Sequence, residues 1–199
     1  LNAIFHYLTI QSIPAPLSAF EHVSKLPPAH CLEVYADGSM CLSRYWSPEF
    51  RTFNGSEQDA EDELDCLLRR AVARHIVSDV PVGLFLSGGV DSSLIAALAC
   101  QLRTDMRSFS MGFAEPSHDE RPFAAEAARL CGTSHVSACV ESNVPDMLPE
   151  MVRHYGEPFG DVSALPTWLL CAMTRQKVTV ALSGDGGDDI FGGYERYLN

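Results

Sequence analysis

The sequence predicts an α/β protein: an open parallel sheet with helices on both faces, preceded by a small helix-plus-hairpin segment. Three observations carry this. From residue 57 onward, short apolar runs alternate with helical patterns, the signature of βαβ units and a parallel sheet. Two of those runs, Val82-Gly83-Leu84-Phe85-Leu86 and Val178-Thr179-Val180-Ala181-Leu182, end in Ser-Gly loops that lead into helix starts. Near the beginning, Asp37-Gly38 separates two alternating apolar stretches, which is a hairpin signal.

Taken in order, Leu1, Ile4, Phe5 and Leu8 fall on one face at helical spacing, so a short first helix is expected to bury that stripe. Residues 31–35 and 40–46 flank Ala36-Asp37-Gly38-Ser39 as the hairpin strands. Ser47-Pro48 and Thr52-Phe53-Asn54-Gly55 then read as a linker, which divides the chain into 1–48, a connection at 49–56 and one α/β domain over 57–199. Ser56 and Asp59 form a capping pattern at the head of a long helix. Acidic residues crowd its first turns, and Arg69, Arg70 and Arg74 lie towards its far end, as the helix dipole prefers. Leu64, Leu67, Leu68, Ala71, Val72 and Ile76 supply its expected buried stripe. Strands at 82–86, 107–113, 135–140 and 178–182 alternate with helices near 92–103, 120–131, 145–155 and 163–176.

Composition narrows the function classes. The 199 residues are 46% hydrophobic, enough for one sizeable core. No apolar run approaches the length of a membrane span. The net charge of −12, from 14 Lys+Arg against 26 Asp+Glu, argues against nucleic acid as a partner, because phosphate backbones demand a basic surface. The seven cysteines are scattered, odd in number and form no Cys-x-x-Cys. They read as reduced thiols buried as small hydrophobes, without a disulfide framework or zinc site. His118, His135 and His154 read as surface or packing residues.

The chemistry lies in the loops. Ser87-Gly88-Gly89-Val90-Asp91-Ser92-Ser93 follows a strand and precedes a helix, so several backbone N–H groups and a helix N-terminus converge. That is a phosphate site built from main chain. Gly88 and Gly89 admit positive φ and let an anion approach closely, while Ser92 and Ser93 add hydroxyls on the first helical turn. Asp91 beside a polyphosphate would be repulsive without a divalent cation between them, so the loop implies Mg2+. The loop has no Gly-Lys-Ser/Thr ending and is not a Walker A sequence. In the second loop, Ser183-Gly184-Asp185-Gly186-Gly187-Asp188-Asp189, an acidic residue again stands where a helix should begin. Ligands of open parallel sheets sit beyond the carboxyl ends of the strands. The two loops can then face one cleft, with Asp91 and Asp188 sharing the ion. The plainer alternatives are a Gly-rich strand–helix turn for the first loop and a dipole-favoured acidic helix start for the second.

The first loop resembles the pyrophosphate loop of the N-type ATP pyrophosphatases. Together, Ser-Gly-Gly-Val-Asp-Ser-Ser and Ser-Gly-Asp-Gly-Gly-Asp-Asp-Ile-Phe-Gly-Gly-Tyr resemble the synthetase domain of glutamine-dependent asparagine synthetases. Further similar stretches are Pro14-Ala15-Pro16 with Lys25-Leu26-Pro27-Pro28-Ala29-His30, Ser108-Phe109-Ser110-Met111-Gly112-Phe113, and Glu157-Pro158-Phe159-Gly160-Asp161-Val162-Ser163. The resemblance implies an adenine-nucleotide alpha-hydrolase-like fold and an ATP- and Mg2+-dependent ligase in the cytoplasm. Its acceptor would be a small carboxylate, aspartate by default, and its nitrogen would be ammonia released from glutamine; a homodimer stays open. Ser87, Gly88, Gly89, Ser92 and Ser93 would hold pyrophosphate, and Asp91 and Asp188 the metal. Backbone around Phe85-Leu86, Met111-Gly112 and Ser183-Gly184 would hold adenosine.

Asp185 stands where asparagine synthetases usually show Glu, and it is the candidate acid/base. Asp189 also departs from the usual Glu. Tyr155, Asp161 and Ser163 are candidates for the acceptor pocket, with helix-end packing and an N-cap at Ser163 as the alternative. The family's glutaminase nucleophile is an amino-terminal cysteine, and no cysteine here precedes Cys31. The chain opens on Leu1 and ends at Tyr197-Leu198-Asn199, just inside a helix after the second loop. The resemblance thus implies an internal fragment, with residues 1–48 the end of the glutaminase-side connection. Alternatives within the fold are a paralogue acting on a sugar acid or cell-wall precursor and a β-lactam-forming synthetase. A nucleotide-binding module without turnover is the alternative from a different class.

Overall fold

The computed structural model describes residues 1–140, 144–194 and 197, with the side chains of 118, 144 and 145 left aside. Of the helix expected at Tyr197-Leu198-Asn199, only Tyr197 is described, its N–H donating to Tyr194 C=O (2.9 Å), and 198 and 199 lie outside the described residues. The chain divides into two compact units, Leu1–Asn54 with Asn143–Ser163, and Gly55–Ser142 with Ala164–Asn199.

The first unit holds α1 (Asn2–Ile10), the hairpin β1 (His30–Val34) and β2 (Met40–Arg44), and, from further along the chain, α5 (Val144–Tyr155). The hairpin pairs antiparallel from His30↔Arg44 to Val34↔Met40. Its turn follows from Asp37-Gly38. The Gly38 N–H donates to Tyr35 C=O, and Gly38 takes φ +84 so that the Tyr35 N–H can reach Ser39 C=O (2.9 Å each). That is a type I turn closed by a left-handed glycine. Segment 157–163 belongs here because Lys25 Nζ pairs with Glu157 and the Gly160 N–H donates to Gln11 C=O (3.0 Å). One expectation is corrected. The stripe Leu1, Ile4, Phe5 and Leu8 is exposed, and α1 buries only Ala3. The spacing is right for a helix, but among the described residues no element of the unit covers that face.

The second unit carries the sheet. Its strands are β3 (Val82–Phe85), β4 (Arg107–Phe113), β5 (Ser134–Val140) and β6 (Val180–Leu182), all parallel in the order β5-β4-β3-β6. The helices are α2 (Glu57–His75), α3 (Val90–Leu102), α4 (Arg121–Cys131), α6 (Ala164–Arg175) and the short α7 (Gly187–Phe191). The chain steps outward from β3 through α3 to β4 and through α4 to β5. It then returns to add β6 on the other side of β3. Crossovers of this kind are right-handed, so α3 and α4 cover one face and α6 covers the other, where it packs on β4. The order reverses between β3 and β6, which makes their carboxyl ends the switch point where such sheets bind ligands.

The core on the α3/α4 face joins Val82, Leu84 and Leu86 to Ala96, Leu98 and Ala99 of α3, Ala124 and Ala128 of α4, and Val72 and Ile76 of α2. Alanines at the contacts let the helices lie close to the strands. Leu84 and Leu86 are each 1% exposed, and burying a leucine fully is worth about 1.5–3 kcal/mol. The α2 stripe is narrower than expected: Leu68, Val72 and Ile76 face the core, while Leu64, Leu67 and Ala71 are exposed. The helix starts at the expected capping box, with Ser56 N donating to Asp59 Oδ2 (2.9 Å) and Asp59 N to Ser56 Oγ (3.2 Å). The last strand begins at Val180 instead of 178. The Val178 N–H is still bonded to Thr174 C=O, and both Thr179 and Val180 turn their N–H groups to Pro81 C=O. All seven cysteines are free as expected. Cys31, Cys41, Cys66 and Cys171, however, are exposed and the other three only partly buried, so the expected burial is corrected. On the sheet, His135 accepts or donates to Ser108 Oγ (2.8 Å) through Nδ1 and to Ser110 Oγ (3.2 Å) through Nε2.

Candidate functional site

The first loop leaves β3 at Phe85. Leu86 remains tied to the sheet through its N–H on Phe109 C=O (2.9 Å). Gly88 takes φ +88, a conformation that a side chain would strain. Gly89 is then the N-cap of α3 and makes no side-chain cap bond. The serines shape the loop. Ser87 N–H donates to Ser92 Oγ (3.2 Å), the two hydroxyls meet at 2.9 Å, and Gly89 N–H donates to Ser87 Oγ (3.2 Å). Ser92 Oγ also donates to Gly89 C=O (3.3 Å) and Ser93 N–H to the same oxygen (3.0 Å). The hydroxyls of Ser87 and Ser92 therefore act first on the loop itself, holding it in the curve that opens onto the α3 N-terminus.

The second loop leaves β6 directly beside the first, because Leu84 and Leu182 are register partners in paired parallel strands. Gly184 and Gly187 are the contact points. A Cβ on Gly184 would stand 2.8 Å from Ser92 N and 3.0 Å from Asp91 Cβ, and one on Gly187 would stand 2.6 Å from Asp91 Cγ. Only side-chain-free positions allow this approach. Asp91, on the first turn of α3, thus rests its carboxylate on Gly187, the residue before Asp188. The Asp188 carboxylate lies against Gly193, whose N–H donates to Asp188 C=O (3.1 Å). Asp185 is exposed and accepts from Ser183 Oγ (3.0 Å). Partial desolvation, and then the charge of Asp185, push the Cys171 thiol of α6 up.

Met111 and Gly112 lie at the carboxyl end of β4, next to the first loop's strand, and pair with Ala138 and Cys139. Phe85, Leu86, Ser87, Gly88, Gly89, Asp91, Ser92 and Ser93 therefore share one sheet edge with Met111, Gly112, Ser183, Gly184, Asp185 and Asp188. Tyr155, Asp161 and Ser163 belong to the other unit, where their contacts are local. Tyr155 stacks on Phe159 (centroids 4.6 Å apart), and Asp161 Oδ1 accepts from both Ser163 N and Oγ (2.8 Å each). Sequence reasoning missed the pair Asp119–Arg121, which covers Gly112. Arg121 donates through Nε to Asp119 Oδ1 (2.7 Å) and through Nη2 to Oδ2 (2.9 Å).

The donor chemistry fits Mg2+. Among the described residues no cluster of three His, Cys, Asp or Glu side chains could hold a metal unaided. Asp91 and Asp188 stand on the two loops that meet at the ends of β3 and β6, the Asp91 carboxylate against Gly187 and the Asp188 carboxylate against Gly193, and Mg2+ is usually held by one or two carboxylates together with substrate phosphates.

Fold and crevice together define a doubly wound α/β domain with two glycine-rich loops in contact at its switch point. The chain belongs to the asparagine synthase family, whose model matches residues 63–199. It is 33% identical over 197 residues to asparagine synthetase [glutamine-hydrolyzing] 1 of Bacillus subtilis strain 168, covering 98% of this chain and 31% of that protein. It is 31% identical over 192 residues to asparagine synthetase [glutamine-hydrolyzing] 3 of the same strain, covering 88% and 31%. The chain spans about a third of the length of these relatives. Among solved structures it is similar to a glutamine-dependent NAD+ synthetase from Acinetobacter baumannii in complex with ADP. That likeness has a TM-score of 0.45 and 24% identity, covers 83% of this chain and 32% of the other, and carries no weight for the site.

Proposed function

We propose that this chain supplies the nucleotide-binding part of a cytoplasmic, ATP-dependent amide ligase that uses ammonia from glutamine, with aspartate as the first-choice acceptor. The observation that carries this is the contact between the two loops: Gly184 and Gly187 bring the second loop onto Ser92 and Asp91 of the first. Family membership supports the chemistry, since the matching relatives are glutamine-hydrolysing asparagine synthetases.

In this mechanism the N–H groups around Ser87-Gly88-Gly89 and the start of α3 bind the departing pyrophosphate, with Ser92 and Ser93 beside them. Backbone at Phe85-Leu86, Met111-Gly112 and Ser183-Gly184 orients the adenosine. The acceptor carboxylate attacks the α-phosphorus, pyrophosphate leaves and an acyl-adenylate forms. Ammonia then attacks the acyl carbon, giving the amide and AMP. Asp91 and Asp188 would hold Mg2+, which when bound neutralises charge on the phosphates. Asp185, exposed at the loop tip and oriented by Ser183, would take a proton from the attacking nitrogen.

A paralogue acting on another carboxylate is the second reading, since the acceptor candidates Tyr155, Asp161 and Ser163 belong to the other unit and make local contacts there. ATP–pyrophosphate exchange by the intact protein, screened against aspartate and other carboxylates, tests both. Exchange with aspartate supports the first reading, and exchange with a different acid only supports the second. ATP binding without exchange on any acid would leave a binding module and refute the ligase.

A further inference from the structure

The first turn of α4 rests on two glycines at once. A Cβ on Gly112 would stand 2.6 Å from both Cγ and Nε of Arg121, so the arginine stem lies flat on the end of β4. A Cβ on Gly88 would stand 2.5 Å from the carbonyl carbon of Phe123 and 2.6 Å from Ala124 N, so the same helical turn presses on the pyrophosphate loop. Asp119 holds this turn in place. It takes a two-pronged bond from the Arg121 guanidinium, and its Oδ1 also accepts the Arg121 N–H (3.2 Å). The side chains of Arg121 and Asp119 are 32% and 18% exposed, against 49% and 53% for Arg69–Asp65 and 68% and 57% for Arg129–Glu126. The pair is thus set into the surface, unlike those on α2 and α4. Asp119 holds Arg121 firmly charged, and Arg121 keeps the Asp119 carboxyl below its ordinary range.

We infer that Asp119 and Arg121 are positioning residues for ATP: their ion pair fixes the spacing between the end of β4 and the pyrophosphate loop. This rests on the reading of that crevice as the nucleotide site. The physical reason is lever-like. One rigid turn touches Gly112, assigned to the adenosine, and Gly88, assigned to the pyrophosphate; Ala124 seats its far end in the core, and the Asp119–Arg121 fork pins its near end against Gly112. A planar guanidinium with two parallel bonds resists rotation in a way that a lysine does not. Losing the fork lets the turn shift and the two halves of the nucleotide lose their common register.

The test uses the intact protein with Arg121→Met, Arg121→Lys and Asp119→Asn, measuring ATP–pyrophosphate exchange, binding of a fluorescent ATP analogue and the thermal midpoint. Displacements of about 1 Å cost up to roughly a hundredfold in rate, so a partial shift should raise the KM for ATP about tenfold in Arg121→Met. The analogue's affinity should weaken in parallel, kcat should change less, and Arg121→Lys should recover part of the loss. Asp119→Asn keeps an oxygen for the Arg121 N–H but loses the charged fork, and should match Arg121→Met. Should Arg121→Met fail to fold, Asp119→Asn decides. An unchanged KM in folded variants, or activity that falls only as the thermal midpoint falls, overturns the inference and leaves a plain helix-end cap. A folded wild type that binds no ATP removes the site assignment and the inference together.

Discussion

Replacing Gly184 with alanine would place a methyl group 2.8 Å from the Ser92 amide nitrogen and 3.0 Å from two carbons of Asp91. Ordinary contact begins near 3.4 Å, so the loops must part by about 0.6 Å at a point where both neighbours are backbone or its first carbon. Overpacking of this kind costs about 1–3 kcal/mol. For the chemistry the displacement matters more than the stability. A shift of this size between groups proposed to grip one triphosphate should lower ATP–pyrophosphate exchange about tenfold or more. Gly186→Ala is the internal control. Gly186 has φ +91 and nothing within 4 Å of its would-be Cβ, so alanine there strains the backbone by about 1–2 kcal/mol without pushing the loops apart. Exchange should fall in Gly184→Ala and hold in Gly186→Ala, with both proteins folded by circular dichroism. Wild-type exchange in Gly184→Ala would show that the loops do not need their contact. Equal loss in both would show that exchange responds to any change in the second loop and not to its contact with the first.

Asp91→Asn should abolish exchange while leaving the fold intact, and exchange that survives it would remove the proposed metal role. Among the described residues, Thr174 Oγ1 is buried without a partner, so Thr174→Val should stabilise the protein by about 1 kcal/mol in urea titration. Destabilisation instead would mean that a water or another group satisfies the hydroxyl. Burial pushes the His135 imidazole below its ordinary value, so the unfolded chain takes up a proton before the folded one does. Its stabilising contribution is therefore present above about pH 6.5 and lost as the pH falls from there towards the lower folded value. His135→Gln should flatten that part of the stability profile, and an identical slope in both proteins would contradict the assignment.

The parts of the fold legible in the sequence are those set by local rules. The runs at 82–86 and 107–113, the Asp37-Gly38 turn and the Ser56–Asp59 capping box follow from periodicity and from single residues with one favoured conformation. The two loops were readable because glycine and serine spacing encodes backbone shape directly. What escaped depends on tertiary contact. The exposed face of α1 has the same spacing as a buried one, since spacing says where a stripe lies and not what covers it. Residues 143–163 group with the start of the chain through Lys25–Glu157 and Gln11–Gly160, contacts between segments far apart in sequence. His135 looked like any surface histidine, because the serines that bind both its nitrogens sit on the neighbouring strand. Asp119–Arg121 lacks the helical i,i+4 spacing that would have marked it, and its seat on Gly112 exists only once α4 has docked.

The placement of β6 beside β3 has a consequence for assembly. Strands β3, β4 and β5 can zip together as the chain is made, but Val82 finds its partner Val180 only near the end of these residues. The first loop, proposed to hold pyrophosphate, thus stands on strands that can pair early, and the acidic loop arrives later, carried on a strand of only three residues. Nucleotide bound between them would fasten that late strand, so ligand occupancy and the docking of β6 on β3 should be thermodynamically linked.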